Sequence, residues 1–338
     1  MYNLLTIQSK FSNYTINWVE SIEEIKQHIS ADNTIVVVDE NIAHLYPELC
    51  KNISCIYVKA EEANKTLKMV DKLSNILINN KANIKTKLVA VGGGIIQDLV
   101  SFVASIYCRG IDYTLIPTTL LAQVDSCIGG KTSINHANRK NILGTFYPPK
   151  EVLIYPDFIN TLSRTDYLSG WGEIYKFYIL QGKMSEFSVA DVSARIQNGL
   201  KYKASILTLD EFDKNERKWL NYGHTFGHAL ESSSNHNIPH GLGVILGSMI
   251  ATRVAYKMGY KVKDYELTLI TGINLIRQSD LKLEKSWFDF NELIEIVKSD
   301  KKSTGELTMI LVGDEPSLVN IKDFSIVKEA INEVYESI

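Results

Sequence analysis

Lys87-Leu-Val-Ala-Val-Gly92-Gly93-Gly94-Ile95 decides how the first half of the chain is built. Its opening residues are mostly apolar and read as a buried strand; the glycines turn the backbone where that strand ends. Ile95 to Tyr107 then reads as a helix. A strand, a glycine turn and a helix form the junction at which a pyrophosphate meets free N–H groups and the positive end of a helix dipole. The spacing is not G-x-G-x-x-G. Three glycines after a strand are, by themselves, equally an ordinary turn.

The residues on either side extend the pattern. Thr34-Ile-Val-Val-Val, ending at Asp39, reads as a buried strand. Cys55-Ile-Tyr-Val, Tyr113-Thr-Leu-Ile and Val152-Leu-Ile-Tyr read as others. Leu67, Val70, Leu73, Ile76 and Leu77 fall at helical spacing, which predicts an amphipathic helix over 65–80. Strands alternating with helices predict a parallel sheet with crossover helices. From about Leu162 helical periods take over, and Leu307-Thr-Met-Ile-Leu-Val reads as one isolated strand. The expected organisation is an α/β domain over 1–160 and a helical domain over 161–338, with no flexible linker between them.

Composition narrows the classes. The chain has 338 residues, 45% apolar and 22% charged, with net charge -3 and pI about 6.2. That balance suits a globular enzyme and gives no basic surface for nucleic acid or anionic membrane. Gly241 to Tyr256 is the nearest approach to a membrane span, but it contains Arg253 and several glycines. The first residues lack a basic segment followed by an apolar one. Cys50, Cys55, Cys108 and Cys127 show neither metal spacing nor the density of a disulfide scaffold. A cytoplasmic protein with reduced thiols is expected.

Chemistry-bearing residues cluster in three places. Thr118 and Thr119 follow a strand end; Asp125, Lys131 and the pair Lys140-Asn141 surround a second glycine pair, reading as a loop suited to an anionic substrate. Solvated surface lysines are the plain alternative. Glu173 and Lys176 lie three apart among Trp171, Ile174, Tyr175 and Phe177, so this pair is expected to be half-buried. Arg217 stands four before Asn221, which predicts one shared helical face. In Asn221-Tyr-Gly-His-Thr-Phe-Gly-His-Ala-Leu-Glu, His224 and His228 are four apart, so a helix would point both imidazoles the same way, as two metal ligands require. His240, after a short polar loop, adds a third imidazole.

These blocks together resemble the 3-dehydroquinate synthase family of sugar phosphate cyclases. The resemblance rests on Gly92-Gly-Gly-Ile-Ile-Gln-Asp98, Tyr107-Cys-Arg-Gly, Pro117-Thr-Thr-Leu-Leu-Ala-Gln-Val-Asp-Ser, Gly129-Gly-Lys-Thr, Lys140-Asn, Glu173-Ile-Tyr-Lys, Arg217 through His228, and His240-Gly. Their order and spacing agree over essentially the whole chain, which is far more specific than any one block. The family plan implies an N-terminal Rossmann-like NAD domain, an all-helical C-terminal domain and an active site between them.

Residue roles follow from the resemblance alone. Glu173, His224 and His240 are implied as ligands of zinc, with cobalt an alternative. His228 is implied to face substrate and assist proton transfer, which revises the ligand role that spacing suggests. Lys131, Asn141, Lys176, Lys203, Arg217 and Asn221 are implied in the substrate pocket, with Lys140 near substrate and phosphate. Arg109 is implied to reach the phosphate across a homodimer interface. Asp39, Glu62, Lys65, Gly93, Gly94, Asp98, Thr118, Thr119, Asp125 and Thr161 are implied NAD contacts. One of Lys301 or Lys302 is implied as a further substrate lysine. The implied reaction turns 3-deoxy-D-arabino-heptulosonate 7-phosphate into 3-dehydroquinate and phosphate: transient oxidation by NAD, elimination, reduction and an aldol closure. The substrate phosphate can itself take the proton in the elimination. This is a shikimate-pathway lyase step toward aromatic amino acids, acting on a small anionic sugar phosphate.

The chain also departs from the family pattern. Gln97 and Ser101 stand where glycines are common, Trp171-Gly172 replaces a small apolar pair, the segment from Lys176 to Lys203 is short, and Ser133-Ile-Asn-His-Ala-Asn-Arg is an unusual approach to Lys140. A divergent branch is expected. The alternatives are a related cyclase acting on another ketose or aldose phosphate, and a metal-dependent polyol dehydrogenase. Retention of both Arg217 and Asn221 favours the carboxylated heptulosonate.

Overall fold

The computed structural model describes residues 4–137, 139–300 and 307–338. These residues form two compact units, one of 1–161 with 203–212 and one of 162–202 with 213–338. Residues 203–212 group with the first unit. Lys301 and Lys302 lie outside the described residues.

In the first unit the strands are β1 (Leu5–Ile7), β2 (Tyr14–Trp18), β3 (Thr34–Asp39), β4 (Cys55–Val58), β5 (Lys87–Gly92), β6 (Tyr113–Pro117), β7 (Lys131–His136), β8 (Arg139–Phe146) and β9 (Glu151–Ile154). Its main helices are α1 (Ile22–Ile29), α2 (Glu40–Leu45), α3 (Pro47–Cys50), α4 (Leu67–Asn79) and α5 (Gly94–Ile106). Seven strands make one sheet in the order β1-β2-β9-β6-β5-β3-β4, parallel except at β1–β2. Pleating sends Val36, Val38, Val89 and Val91 to one face, into a core with Ile25, Ile42 and Phe158. Val37 and Leu88 meet Leu73, Leu77, Val100 and Val103 on the other. Both faces are therefore covered, as a parallel sheet requires. Helix α4 starts where the Thr66 hydroxyl accepts the Met69 N–H at 3.4 Å, and buries Val70, Leu73 and Leu77 at helical spacing.

The second unit holds α6 (Arg164–Leu180), α7 (Val192–Leu209, whose end from Lys203 counts with the first unit), α8 (His224–Ser233), α9 (His240–Lys257), α10 (Tyr265–Arg277), α11 (Phe290–Asp300) and α12 (Phe324–Ser337). The strand read from Leu307 is not isolated. It is β10 (Leu307–Val312), paired antiparallel with β11 (Pro316–Ile321), so this unit is not all helical. Helix α9 is its axle: nearly every side chain from Gly241 to Ala255 is buried, and α6, α8, α10 and α12 pack around it. Among the described residues no helix is long and apolar enough to cross a membrane.

Two glycine contacts set how closely these helices approach. A Cβ on Gly172 would overlap the carbonyl of Gly241, and one on Gly241 would overlap that of Ser169. A Cβ on Gly227 would lie 3.0 Å from the Gly243 oxygen. Gly172 precedes Glu173 and Gly241 follows His240, so the α6–α9 contact locks those two side chains as neighbours. Gly241→Ala is expected to destabilise by about 2–3 kcal/mol, because backbone cannot swing away as a side chain can. A lowered denaturant midpoint checks this; an unchanged midpoint would contradict so close an approach.

Candidate active site

Strands β3 and β5 are adjacent, and Val38 pairs with Val91, which sets Asp39 beside Gly92 at the carboxyl edge. The chain leaves β3 toward β4 and returns on the other side as β5, so this edge is where strand order reverses, the usual ligand crevice of such sheets. The glycines are required there. A Cβ on Gly92 would lie 2.6 Å from Ile96, and one on Gly93 would lie 3.0 Å from Thr119. Gly93 caps α5, leaving the first amides of that helix to a ligand. The Thr118 hydroxyl is buried without a hydrogen-bond partner, whereas Thr119 caps Ala122 N at 3.2 Å. Thr161 donates to the Phe158 carbonyl at 3.0 Å. Asp39 caps α2 through Asn41 N at 3.1 Å, and burial pushes its carboxyl up. Gln97 is buried, with Ser126 donating to its amide oxygen at 2.9 Å.

Behind the turn a polar cluster joins residues expected on cofactor and on substrate. The buried Lys65 ammonium lies 2.5 Å from Asp98 Oδ2 and 2.5 Å from Asn141 Oδ1. Ser133 Oγ lies 3.1 Å from the same Asp98 oxygen and 2.9 Å from Asn141 Oδ1. Asn135 accepts the Asn141 N–H at 2.9 Å and donates to Glu62 Oε1 at 2.6 Å. Burial raises Asp98 against the pull of Lys65 and Ser133. Ser133 and Asn135 were missed as site residues; their short polar side chains two apart on one strand were the available signal. Lys203 Nζ lies 2.9 Å from Asp125 Oδ1 and donates to the Asp125 carbonyl at 2.7 Å.

The loop expected around Lys131, Lys140 and Asn141 is instead the β7–β8 hairpin, in which Lys131 pairs with Phe146 and His136 with Arg139. Lys131 therefore sits at the open end and Lys140 near the turn, so the structure does not group the two lysines. Both are exposed, as is Arg109 on its turn with φ of 66°. β-Pairing won because the stretch alternates inward Thr132 and Ile134 with outward polar residues.

In the second unit, α6, α8 and α9 each deliver one part of a cluster built on the buried Glu173, with His224 and His240 partly exposed and His228 exposed. Glu173 is 1% exposed and ion-paired through Oε2 with the buried Lys176. Its Oε1 lies 3.6 Å from His224 Nε2 and 3.5 Å from His240 Nε2, and neither oxygen completes a hydrogen bond of ordinary geometry. Donor atoms around a tetrahedral zinc, bound near 2.1 Å, sit about 3.4 Å apart. The carboxylate and two imidazoles thus fit a divalent cation. His228 is also close, since one nitrogen from each of His224, His228 and His240 falls within 4.8 Å of the others. The His224 and His228 ring centroids are 5.1 Å apart, as helical spacing predicts. Arg217 and Asn221 do not share a face. They occupy a 3-10 turn, Glu216–Asn221, with Arg217 buried and Asn221 exposed.

Charge in this cluster is uneven. Burial works against ionised Glu173, but Lys176 and the imidazoles hold its carboxyl well below the usual range. Burial and the Lys176 charge keep His224 neutral. Burial also opposes a charged His240, yet Glu173 and Glu231 raise it from 6.5 to about 10. A raised folded pKa contributes stability that is complete below the unfolded value and is lost through the folded one. The melting temperature of metal-stripped protein is therefore expected to fall between pH 7 and 10; a flat or rising trend would contradict the pairing.

Residues 55–169 match the 3-dehydroquinate synthase N-terminal family and residues 172–303 the 3-dehydroquinate synthase C-terminal family. The 3-dehydroquinate synthase of Francisella tularensis subsp. mediasiatica is 33% identical, with 99% of this chain and 98% of that one covered. That of Caldanaerobacter subterraneus subsp. tengcongensis is 32% identical, with 90% and 91% covered. A crystal structure of 2-deoxy-scyllo-inosose synthase with carbaglucose-6-phosphate, NAD+ and Co2+ shares the fold at TM-score 0.85 and 24% identity, covering 98% of this chain and 100% of that one. Fold and matches together define an enzyme of the cyclase type, and the polyol dehydrogenase alternative is not favoured. The chain belongs to the 3-dehydroquinate synthase family.

Proposed function

We propose that this enzyme converts 3-deoxy-D-arabino-heptulosonate 7-phosphate to 3-dehydroquinate and phosphate, as a cytoplasmic homodimer. The observation that carries the reading is the Glu173 carboxylate facing two imidazole nitrogens at 3.5 and 3.6 Å, in a chain of this family. Glu173, His224 and His240 hold zinc or cobalt, and the turn at Gly93 and Gly94 holds NAD with Asp39, Glu62, Lys65, Asp98, Thr118, Thr119, Asp125 and Thr161. When bound, NAD supplies a reversible hydride acceptor and the cation a Lewis acid for neighbouring hydroxyls.

The protein side chains position the substrate and balance its charge. Arg217 and Asn221 take the carboxylate, with a guanidinium fork suited to two oxygens. Lys131, Lys140, Lys176 and Lys203, with Arg109 from across the dimer, balance the phosphate. Asn141 orients a hydroxyl, and His228, the exposed imidazole of its helix, moves a proton at the substrate. Lys65 fixes Asn141 through the 2.5 Å contact.

Purified protein given this substrate with catalytic NAD and zinc is expected to release phosphate with no net NADH. Release from a phosphosugar lacking the carboxylate, and none from the heptulosonate, would move the reading to a related cyclase.

A further inference from the structure

Resting on that cation-site reading, we propose that Glu231 is the positioning residue for His240. Glu231 belongs to neither the expected ligand set nor the expected substrate set. His224, His228 and Glu231 stand at i, i+4 and i+7 on α8, hence on one face. That face meets the first residue of α9, His240, whose Nδ1 lies 2.9 Å from Glu231 Oε1. A carboxylate oxygen there accepts from Nδ1–H, which leaves Nε2 as the nitrogen that can meet a cation. Nε2 is the atom that lies 3.5 Å from Glu173 Oε1. His224 is set the same way by a different device, its Nδ1 lying 3.1 Å from the Tyr222 carbonyl, with Nε2 again toward Glu173. One ligand is thus aimed by backbone and the other by a carboxylate.

The packing makes room for this arrangement. A Cβ on Gly243 would lie 3.3 Å from Glu231 Cγ, so the glycine leaves the carboxylate its channel between α8 and α9. The loop between the two helices fixes His240 without help from a side-chain cap, since Pro239 precedes it. Glu231 thus holds the Nδ1 side of the His240 ring, while Glu173 faces its Nε2 side.

The test compares wild type, Glu231→Ala and the near-isosteric Glu231→Gln. Each is stripped by chelator and titrated with Zn2+ or Co2+ against a coloured competing chelator. Glu231→Ala is expected to bind either ion about 10–100-fold more weakly. Glu231→Gln, which keeps an acceptor oxygen without the charge, should fall between. Glu231→Ala also gives up the metal-free pairing with His240, so the stability control is run in a His240→Ala background, where Glu231→Ala should leave the metal-free melting temperature unchanged. Tight wild-type binding with equal affinity in Glu231→Ala overturns the proposal and spares the cation site. A metal-free melting temperature that still drops on Glu231→Ala in the His240→Ala background also overturns it, marking a merely structural role. Wild-type protein that takes up neither ion overturns the cation site and this inference together.

Discussion

Glu173→Gln is expected to lower turnover roughly 1000-fold and to release a bound divalent cation into mild chelator. The Lewis acid contributes several kcal/mol to the reaction, and each 1.4 kcal/mol is about tenfold in rate. Of the candidate ligands, Glu173 is the only anionic one, and its Oε1 faces both His224 and His240. The substitution also leaves the buried Lys176 ammonium without its partner, which costs about 3–5 kcal/mol where a pair is broken from one side. Glu173→Gln/Lys176→Met isolates the stability cost, since its melting temperature should recover; chelator-released cation reads the ligand role, because Lys176 is itself assigned to the substrate. Turnover near wild type after chelator treatment of Glu173→Gln would sink the ligand assignment.

Arg217→Ala is expected to raise KM for the heptulosonate phosphate about 10–100-fold, the loss of a charged hydrogen bond worth about 1.5–3 kcal/mol. Arg217 is buried on the turn that leads directly into α8, so its position is set by the same segment that sets His224. Arg217→Lys should fall between, because an ammonium keeps the charge and loses the planar fork. Melting temperature is the control for packing. An unchanged KM in a folded Arg217→Ala protein removes the reason for choosing a carboxylated substrate over that of a related cyclase.

The elements written in runs of apolar residues were legible. Strand β5, its glycine turn and α5 fall where periodicity and turn chemistry place them, and α8 brings His224 and His228 together as a four-residue spacing must. The hairpin of β7 and β8 was not legible, because its inward positions are few and its outward face is polar, so composition alone resembles a loop. Strand β11 starts at a proline and alternates weakly, and only its pairing with β10 defines it. The links through Ser133, Asn135 and Glu231 depend on contacts between segments far apart in sequence or across a turn. No local pattern marks such a residue until the partner is placed.

One detail of the division into units has a bearing on protein engineering. The polypeptide enters the first unit twice, because 203–212 returns to it after 162–202 has joined the second. A fragment ending at Thr161 would therefore lose Lys203, and Asp125 would lose the cation that lies 2.9 Å from it. No single cut yields two autonomous halves. Swapping the nucleotide-holding half between relatives demands that a short downstream stretch travel with it.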